Sequence, residues 1–302
     1  MTETVDRSPG PSPYNGERPA AISARRAGAA PAPKLLEIDN ITQVFRPSPK
    51  RPAFTALKDV TITIPGGQFV SVVGPTGCGK STLLSAVSGL VPPHAGQVRL
   101  GGQTVTDVRP EVGFIFQQDA LLPWRTALQN VALALRFRGT RRKDARDRAR
   151  LWLARVGLGA FENSYPHQLS GGMRKRVAIA ATLVYEPSIL LMDEPFSALD
   201  VQTRNLMEND LLKLWQEIGH QTVLFVTHDL EEAIGMSDRV LVLTAGPGQL
   251  CGDYLVDLPR PRSLLEVKFD ETFRELYQTI WADLEGEVLK ASKRDPLPTS
   301  SK

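Results

Sequence analysis

One tract constrains this chain more than any other: Gly74-Pro-Thr-Gly-Cys-Gly-Lys-Ser81, placed directly after the apolar run Phe69-Val-Ser-Val-Val73. The run reads as a fully buried strand, and residues 81–91 read as a helix. Strand, glycine-rich loop and helix in that order satisfy G-x-x-x-x-G-K-[ST] in the setting the pattern requires. Glycines suit such a loop because its backbone takes angles barred to other residues and lets an anion approach main-chain N–H groups. The helix start adds the positive end of its dipole. Lys80 is expected to reach terminal phosphates and Ser81 to place its hydroxyl on Mg²⁺. Gly74, Pro75, Thr76, Gly77, Cys78, Gly79 and Thr82 complete the expected phosphate cradle; at Cys78 a small residue suffices.

A second tract supplies what the first lacks. Ile189-Leu-Leu-Met-Asp193-Glu194 is four apolar residues ending in two acids, a buried strand that delivers carboxylates at its tip. Asp193 is expected to hold the Mg²⁺ shell and Glu194 to polarise an attacking water. The expected chemistry is hydrolysis of a nucleoside triphosphate.

The rest of the chain frames these tracts. Residues 1–34 contain six prolines among Gly, Ser and Ala, too little apolar surface to offset the entropy of ordering, so a disordered tail is expected. Strand patterns at 36–45, 57–64, 69–73, 112–116, 188–192, 222–227 and 239–243 accompany helical patterns at 171–184 and 202–218. Such alternation predicts an α/β fold with a mostly parallel sheet. Residues 127–160 carry helical patterns without a strand and predict a separate helical lobe. Phe269, Phe273, Leu276, Tyr277, Ile280, Trp281, Leu284 and Val288 recur at helical spacing, giving a closing amphipathic helix within 261–290 and a loose tail at 291–302. Net charge is only +3, which by itself favours neither nucleic acid nor membrane. No apolar run approaches the ~20 residues that span a bilayer, so a membrane role would require docking. Two cysteines, Cys78 and Cys251, make no disulfide framework.

Leu169-Ser-Gly-Gly-Met173 resembles the signature motif of ATP-binding cassette (ABC) proteins. Physically, Ser170, Gly171 and Gly172 offer a hydroxyl and N–H groups at a helix start. Gln117 resembles that family's glutamine between core and helical lobe, Ser197-Ala-Leu-Asp200 its inter-monomer loop, and His228 its switch histidine. The resemblance covers about residues 35–260. It implies an ABC cassette, an α/β P-loop NTPase fold with a mostly parallel core sheet, an antiparallel β subdomain and an α-helical subdomain at about 118–184. It also implies ATP with Mg²⁺, and a head-to-tail dimer, expected to be a homodimer. Each site would combine Lys80, Ser81, Gln117, Asp193, Glu194 and His228 of one chain with Ser170 and Gly172 of the other. By the same resemblance Glu194, His228, Gln117 and Lys80 are catalytic, Ser81, Gln117 and Asp193 meet the metal, and Asp200 lies at the interface. Phe45, with Phe54 as runner-up, matches the aromatic that stacks on adenine.

The finer texture resembles importers of nitrate, aliphatic sulfonates and taurine. It rests on Ala120-Leu-Leu-Pro-Trp124, on Arg174 after the signature, on Asp193-Glu-Pro-Phe-Ser-Ala-Leu-Asp200 and on Leu258-Pro-Arg-Pro-Arg262. That resemblance implies a membrane permease as partner, a periplasmic or extracellular solute-binding protein acting indirectly, no nucleic acid, and a peripheral place on the cytoplasmic face. Residues 118–135 would receive a permease helix, with Leu121 and Trp124 as apolar contacts. Met173, Lys175 and the pair Ala181-Thr182 depart from the family's commoner Gln, Gln and Arg-Ala. Residues 136–150 carry eight positive and two negative side chains, read as a solvated helix face with anionic lipid or an acidic partner loop as the alternative.

Overall fold

Apolar side chains alternate along Leu36–Phe45, burying Leu36, Ile38 and Ile41 on one face, which is the period of a half-buried strand. The computed structural model describes residues 32–46, 52–219 and 221–294; most of the expected tails, 1–34 and 291–302, lies outside them. Strand β1 (Leu36–Phe45) pairs antiparallel with β2 (Phe54–Ile64), and later strands extend both this sheet and a second one. These are β3 (Phe69–Val73), β4 (Ala95–Leu100), β5 (Gln103–Thr104), β6 (Val112–Ile115), β7 (Ile189–Asp193), β8 (Thr222–Val226), β9 (Arg239–Leu243) and β10 (Leu250–Leu255). The small sheet has the order β2-β1-β4-β5, all antiparallel; the large one has the order β10-β9-β3-β8-β7-β6. Within the large sheet β9, β3, β8, β7 and β6 run parallel, and only the edge strand β10 is antiparallel. β3 and β8 are buried at every residue, as expected of parallel strands covered on both faces.

Eight α-helices cover these sheets among the described residues: α1 (Lys80–Val87), α2 (Ala127–Arg136), α3 (Arg142–Arg155), α4 (Gly171–Leu183), α5 (Val201–Ile218), α6 (Leu230–Met236), α7 (Leu264–Val267) and α8 (Glu271–Arg294). Leu83, Leu84 and Val87 of α1 share one apolar core with Ile38, Ile62 and Val98 of the small sheet and Val72, Leu191 and Leu224 of the large one. α1 therefore fills the space between the two sheets, and its N-terminus is fixed from both sides. Helices α2, α3 and α4 pack together through Val131, Leu135, Trp152, Leu153 and Val177, in a core that continues into α5 and the other face of the large sheet. α8 lays Phe273, Ile280 and Leu284 against Ile234 of α6 and Val240 and Val242 of β9. None of these helices is long and apolar enough to cross a membrane.

The sequence patterns at 69–73 and 239–243 coincide with β3 and β9, while β4, β5, β10 and α6 add to them. β10 alternates half-buried and exposed residues around Gly252, and β4 contains Gly96, so neither presents an apolar run. α6 is seven residues long, too short to display helical periodicity.

Candidate active site

Parallel strands put their carboxyl ends on one edge of a sheet, and loops there are where open α/β folds gather ligands. Four such ends carry the residues singled out by sequence. β3 runs into the glycine-rich loop, β6 into Gln117, β7 into Asp193 and Glu194, and β8 into Thr227 and His228.

The loop leads into α1 through Gly79, whose φ of 101° is open to glycine but strained for other residues. A Cβ there would meet the Ala56 carbonyl at 2.8 Å and Leu57 Cδ2 at 2.7 Å, so the position is closed on steric grounds as well. Lys80 is buried, and its Nζ donates to the carbonyls of Gly74 (2.8 Å) and Pro75 (3.1 Å). These bonds use two of an ammonium's three donors and hold the side chain against the loop. Gly79 leaves the first turn of α1 without a side-chain cap. The helices α4, α5 and α6, by contrast, each begin with a side-chain cap. Ser170 accepts from Met173 N, Asp200 from Thr203 N, and Asp229 from Glu231 N and Glu232 N. Uncapped N–H groups, a helix dipole and a lysine together form an anion cradle.

Ser81 Oγ donates to Asp193 Oδ1 at 3.0 Å, joining the loop to the tip of β7. Burial pushes the Asp193 carboxyl above its ordinary range, the Ser81 hydrogen bond opposes this, and the neighbouring Glu194 charge adds to it. A divalent cation would relieve both burdens, and the donors are hard oxygens of the kind Mg²⁺ takes. No cluster of three His, Cys, Asp or Glu is placed to hold a metal among the described residues.

Glu194 sits at φ 40°, an uncommon angle for a glutamate and one that costs of order 1–3 kcal/mol. The conformation is held by its N–H, which donates to Val226 O at 2.9 Å, and by its carbonyl, which accepts from Ser197 Oγ at 3.0 Å. Its Oε2 lies 2.9 Å from His228 Nδ1. Gln117 Nε2 in turn donates to Ser197 Oγ at 3.3 Å. Gln117, Ser197, Glu194 and His228 thus form one hydrogen-bonded chain across the ends of β6, β7 and β8.

Other sequence candidates lie further off. Phe45 packs against Phe54 with ring centroids 5.7 Å apart and the planes tilted by 31°. Phe54, not Phe45, lines a cavity shared with Thr76 and Gly77 of the loop. Ser170 and Gly171 are exposed at the start of α4, and Gly172 packs on α5, where a Cβ would meet Thr203 Cγ2 at 2.9 Å. Asp200 caps α5, and the Thr203 N–H it accepts holds its carboxyl below the ordinary range. Burial raises the Cys78 thiol, and Cys78 is 1% exposed. Sequence reasoning passed over two contributors. Ser197 was seen only as part of a loop, and Arg204, which pairs with Asp229 at 3.4 Å beside His228, carried no signal beyond its place after Asp200.

A family profile described as ABC transporter matches residues 57–197. An uncharacterized ABC transporter ATP-binding protein of Methanocaldococcus jannaschii is 44% identical, over 85% of this chain and 94% of that protein. The nitrate import ATP-binding protein of Synechococcus elongatus is 45% identical over 77% of this chain and 36% of that longer protein. The aliphatic sulfonates import ATP-binding protein of Bacillus cereus is 38% identical, over 85% of this chain and 99% of its own length. Among solved structures, a dimeric ATP-binding cassette in a post-hydrolysis state bound to ADP and Pi superposes with a TM-score of 0.66 at 34% identity, covering 74% of this chain and all of that one. On this likeness of sequence and fold, the chain belongs to the ABC transporter family as an ATP-binding, ATP-hydrolysing cassette.

Proposed function

We propose that this chain energises import of a small anionic or zwitterionic solute, of the nitrate, sulfonate or taurine kind, from the cytoplasmic face of a membrane. The observation that carries the catalytic half is the Glu194–His228 pair at 2.9 Å, set beside the Ser81–Asp193 pair at 3.0 Å. In this reading the N–H groups at Gly77, Cys78, Gly79 and Lys80, with Thr82 beside them, take the phosphates of ATP. Lys80 Nζ turns a donor to the terminal phosphates. Ser81, Asp193 and Gln117 would hold Mg²⁺, whose charge neutralises phosphate oxygens. Glu194 takes the proton of the attacking water on its carboxylate, and His228, oriented through Nδ1, leaves its other ring nitrogen for the γ-phosphate. Phe45 or Phe54 packs on adenine. Ser170 and Gly172 serve the nucleotide of a second copy, and Asp200 lies at that contact.

The transport half rests on a groove. Phe116, Leu121, Leu122, Phe137, Arg138 and Tyr185 line a cavity of about 290 Å³ on the helical lobe, next to the Gln117 segment. Trp124 is 69% exposed nearby and Phe137 of the cavity lining is 81% exposed, apolar surface of the kind that marks a partner site. A permease helix seated there would feel the state of Gln117 directly, and an external binding protein would deliver solute to the permease. The relatives named for nitrate and sulfonate import support the solute class. The test is affinity capture of tagged Glu194→Gln protein with ATP from detergent-solubilised native membranes. A polytopic membrane protein in stoichiometric yield is expected, and Trp124→Glu should release it. Capture of ribosomal or DNA-repair proteins without a permease would overturn the transport reading.

A further inference from the structure

Lys175 stands in the second turn of α4 and is 2% exposed. Its Nζ reaches three oxygens: the carbonyls of Phe116 (3.2 Å) and Gln117 (2.9 Å) and Asp119 Oδ1 (3.1 Å). The two carbonyls accept hydrogen bonds and Asp119 balances the charge as an ion pair, so the buried ammonium is both bonded and neutralised. The other Asp119 oxygen accepts from Arg174 Nε at 3.2 Å, and Arg174 Nη1 donates to Leu169 O at 2.9 Å. Two consecutive residues of α4 thus bind residues 116–119 to the turn that begins with Ser170.

A buried cation is costly unless fully paired, and an apolar side chain could fill the same volume at less cost. The choice of acceptors shows what the charge achieves. Two are main-chain carbonyls that flank the Cα of Gln117, so what Lys175 fixes is the backbone path at that residue. The Gln117 side chain points the other way, to Ser197 and through it to Glu194. Gln117 therefore belongs to α4 by its backbone and to the catalytic chain by its amide. At its far end α4 packs against β6, where Thr182 Oγ1 lies 3.4 Å from Phe114 O while its hydroxyl also has Ala178 O of its own helix at 3.1 Å. A tilt of α4 about that end would carry Ser170 and Gln117 together.

We propose that Lys175, completed by Asp119, is a positioning residue that locks the Gln117 segment to the Ser170 turn. The glutamine that would meet Mg²⁺ in one nucleotide site and the serine offered to the other then move as a single body. The proposal rests on the roles assigned above to Gln117 and Ser170. ATP at one site is consequently read at the other through one buried ammonium, and closure of the dimer depends on it.

The experiment uses the full chain in a Glu194→Gln background, with Lys175→Met, Lys175→Gln and Asp119→Asn added singly. Three quantities are read: affinity for a fluorescent ATP analogue, ATP-driven dimerisation by analytical ultracentrifugation, and thermal midpoint. For Lys175→Met, analogue affinity is expected to stay within about twofold. The ATP needed for half-dimerisation should rise on the order of tenfold, a coupling of the size usual between linked sites. Lys175→Gln, whose amide can still donate to both carbonyls, should recover most of the loss, and Asp119→Asn should fall between. Dimerisation of Lys175→Met at its parent's ATP concentration would overturn the lock alone. So would a parallel loss of affinity, dimerisation and thermal midpoint in both Lys175 variants, the mark of a merely structural role. A Glu194→Gln parent that fails to dimerise with ATP would overturn the site assignment, and the lock with it.

Discussion

Two helix N-termini stand out at the active edge, and they differ in kind. α1 begins without a side-chain cap, has Lys80 folded against its loop, and is joined by Ser81 to a carboxylate of the same chain. α4 begins with Ser170 already accepting from Met173 N and leaves Ser170 exposed. The first end assembles an anion site from one chain. The second has satisfied part of its own hydrogen-bonding need and offers what remains outward. The difference supports the proposal that the first end carries the chemistry and the second completes it from across an interface.

The sharpest way to break this comparison is at the proton acceptor on the α1 side. Glu194→Gln keeps the size and most hydrogen bonds of the side chain but removes its basicity. Steady-state hydrolysis should fall on the order of 10²-fold or more, the range for a lost general base, while ATP binding measured by equilibrium dialysis persists. Wild-type turnover would remove Glu194 from the mechanism. A smaller effect is expected at Lys80. Lys80→Ala deletes a charge-assisted phosphate contact worth roughly 1.5–3 kcal/mol, so ATP affinity by titration calorimetry should weaken about 10- to 10²-fold. Unchanged affinity would mean that α1 is not the phosphate end.

The α4 end should respond more weakly in the isolated chain. Ser170→Ala removes a cap of about 1 kcal/mol, which denaturant unfolding would register as lost stability. ATP affinity of the monomer should be unaffected, and only ATP-driven dimerisation should suffer. If monomer affinity fell as far as in Lys80→Ala, the two ends would not be different in kind.

The parts of this site that were legible in the sequence are those whose chemistry is tied to local order. Gly79, Lys80 and Ser81 could be read because strand, loop and helix are contiguous, and Asp193 because an apolar strand precedes it. The parallel sheet was legible through β3 and β9, where burial on both faces leaves unbroken apolar runs. Contacts between distant segments were not. Nothing local says that Lys175 reaches back to the carbonyls at 116 and 117, or that Ser197 links Gln117 to Glu194, because these depend on how α4 and β7 pack on β6. Phe45 and Phe54 show the same limit: both are aromatic, but only packing shows that Phe54 lines the cavity beside the loop. β10 and α6 escaped because an edge strand with glycine and a two-turn helix carry too little pattern.

A last, smaller prediction concerns α5, which supports the α4 end from behind. Thr203 and Met207 back Gly172, and the next residue, Glu208, is buried against Glu232 of α6. Glu232 accepts from Thr227 Oγ1 at 2.6 Å, one residue before His228, so this acidic pair joins the two sides of the comparison. Burial, then the facing Glu232, pushes the Glu208 carboxyl from its ordinary 4.5 up to about 8; Glu232 is also raised, chiefly by burial. Asp229 adds to the upward push on both, while Arg204 opposes it at Glu232 and Lys268 at Glu208. An acid whose folded value is raised binds more protons folded than unfolded, so its contribution is fully present below about pH 4.5 and is lost as pH rises through about 8. Unfolding midpoints measured between pH 5 and pH 9 should therefore decline with rising pH in the wild type. They should decline less in Glu208→Gln, which keeps the shape without the titration. An equal slope in both would place the titration elsewhere and leave α5 as a passive support for the α4 end.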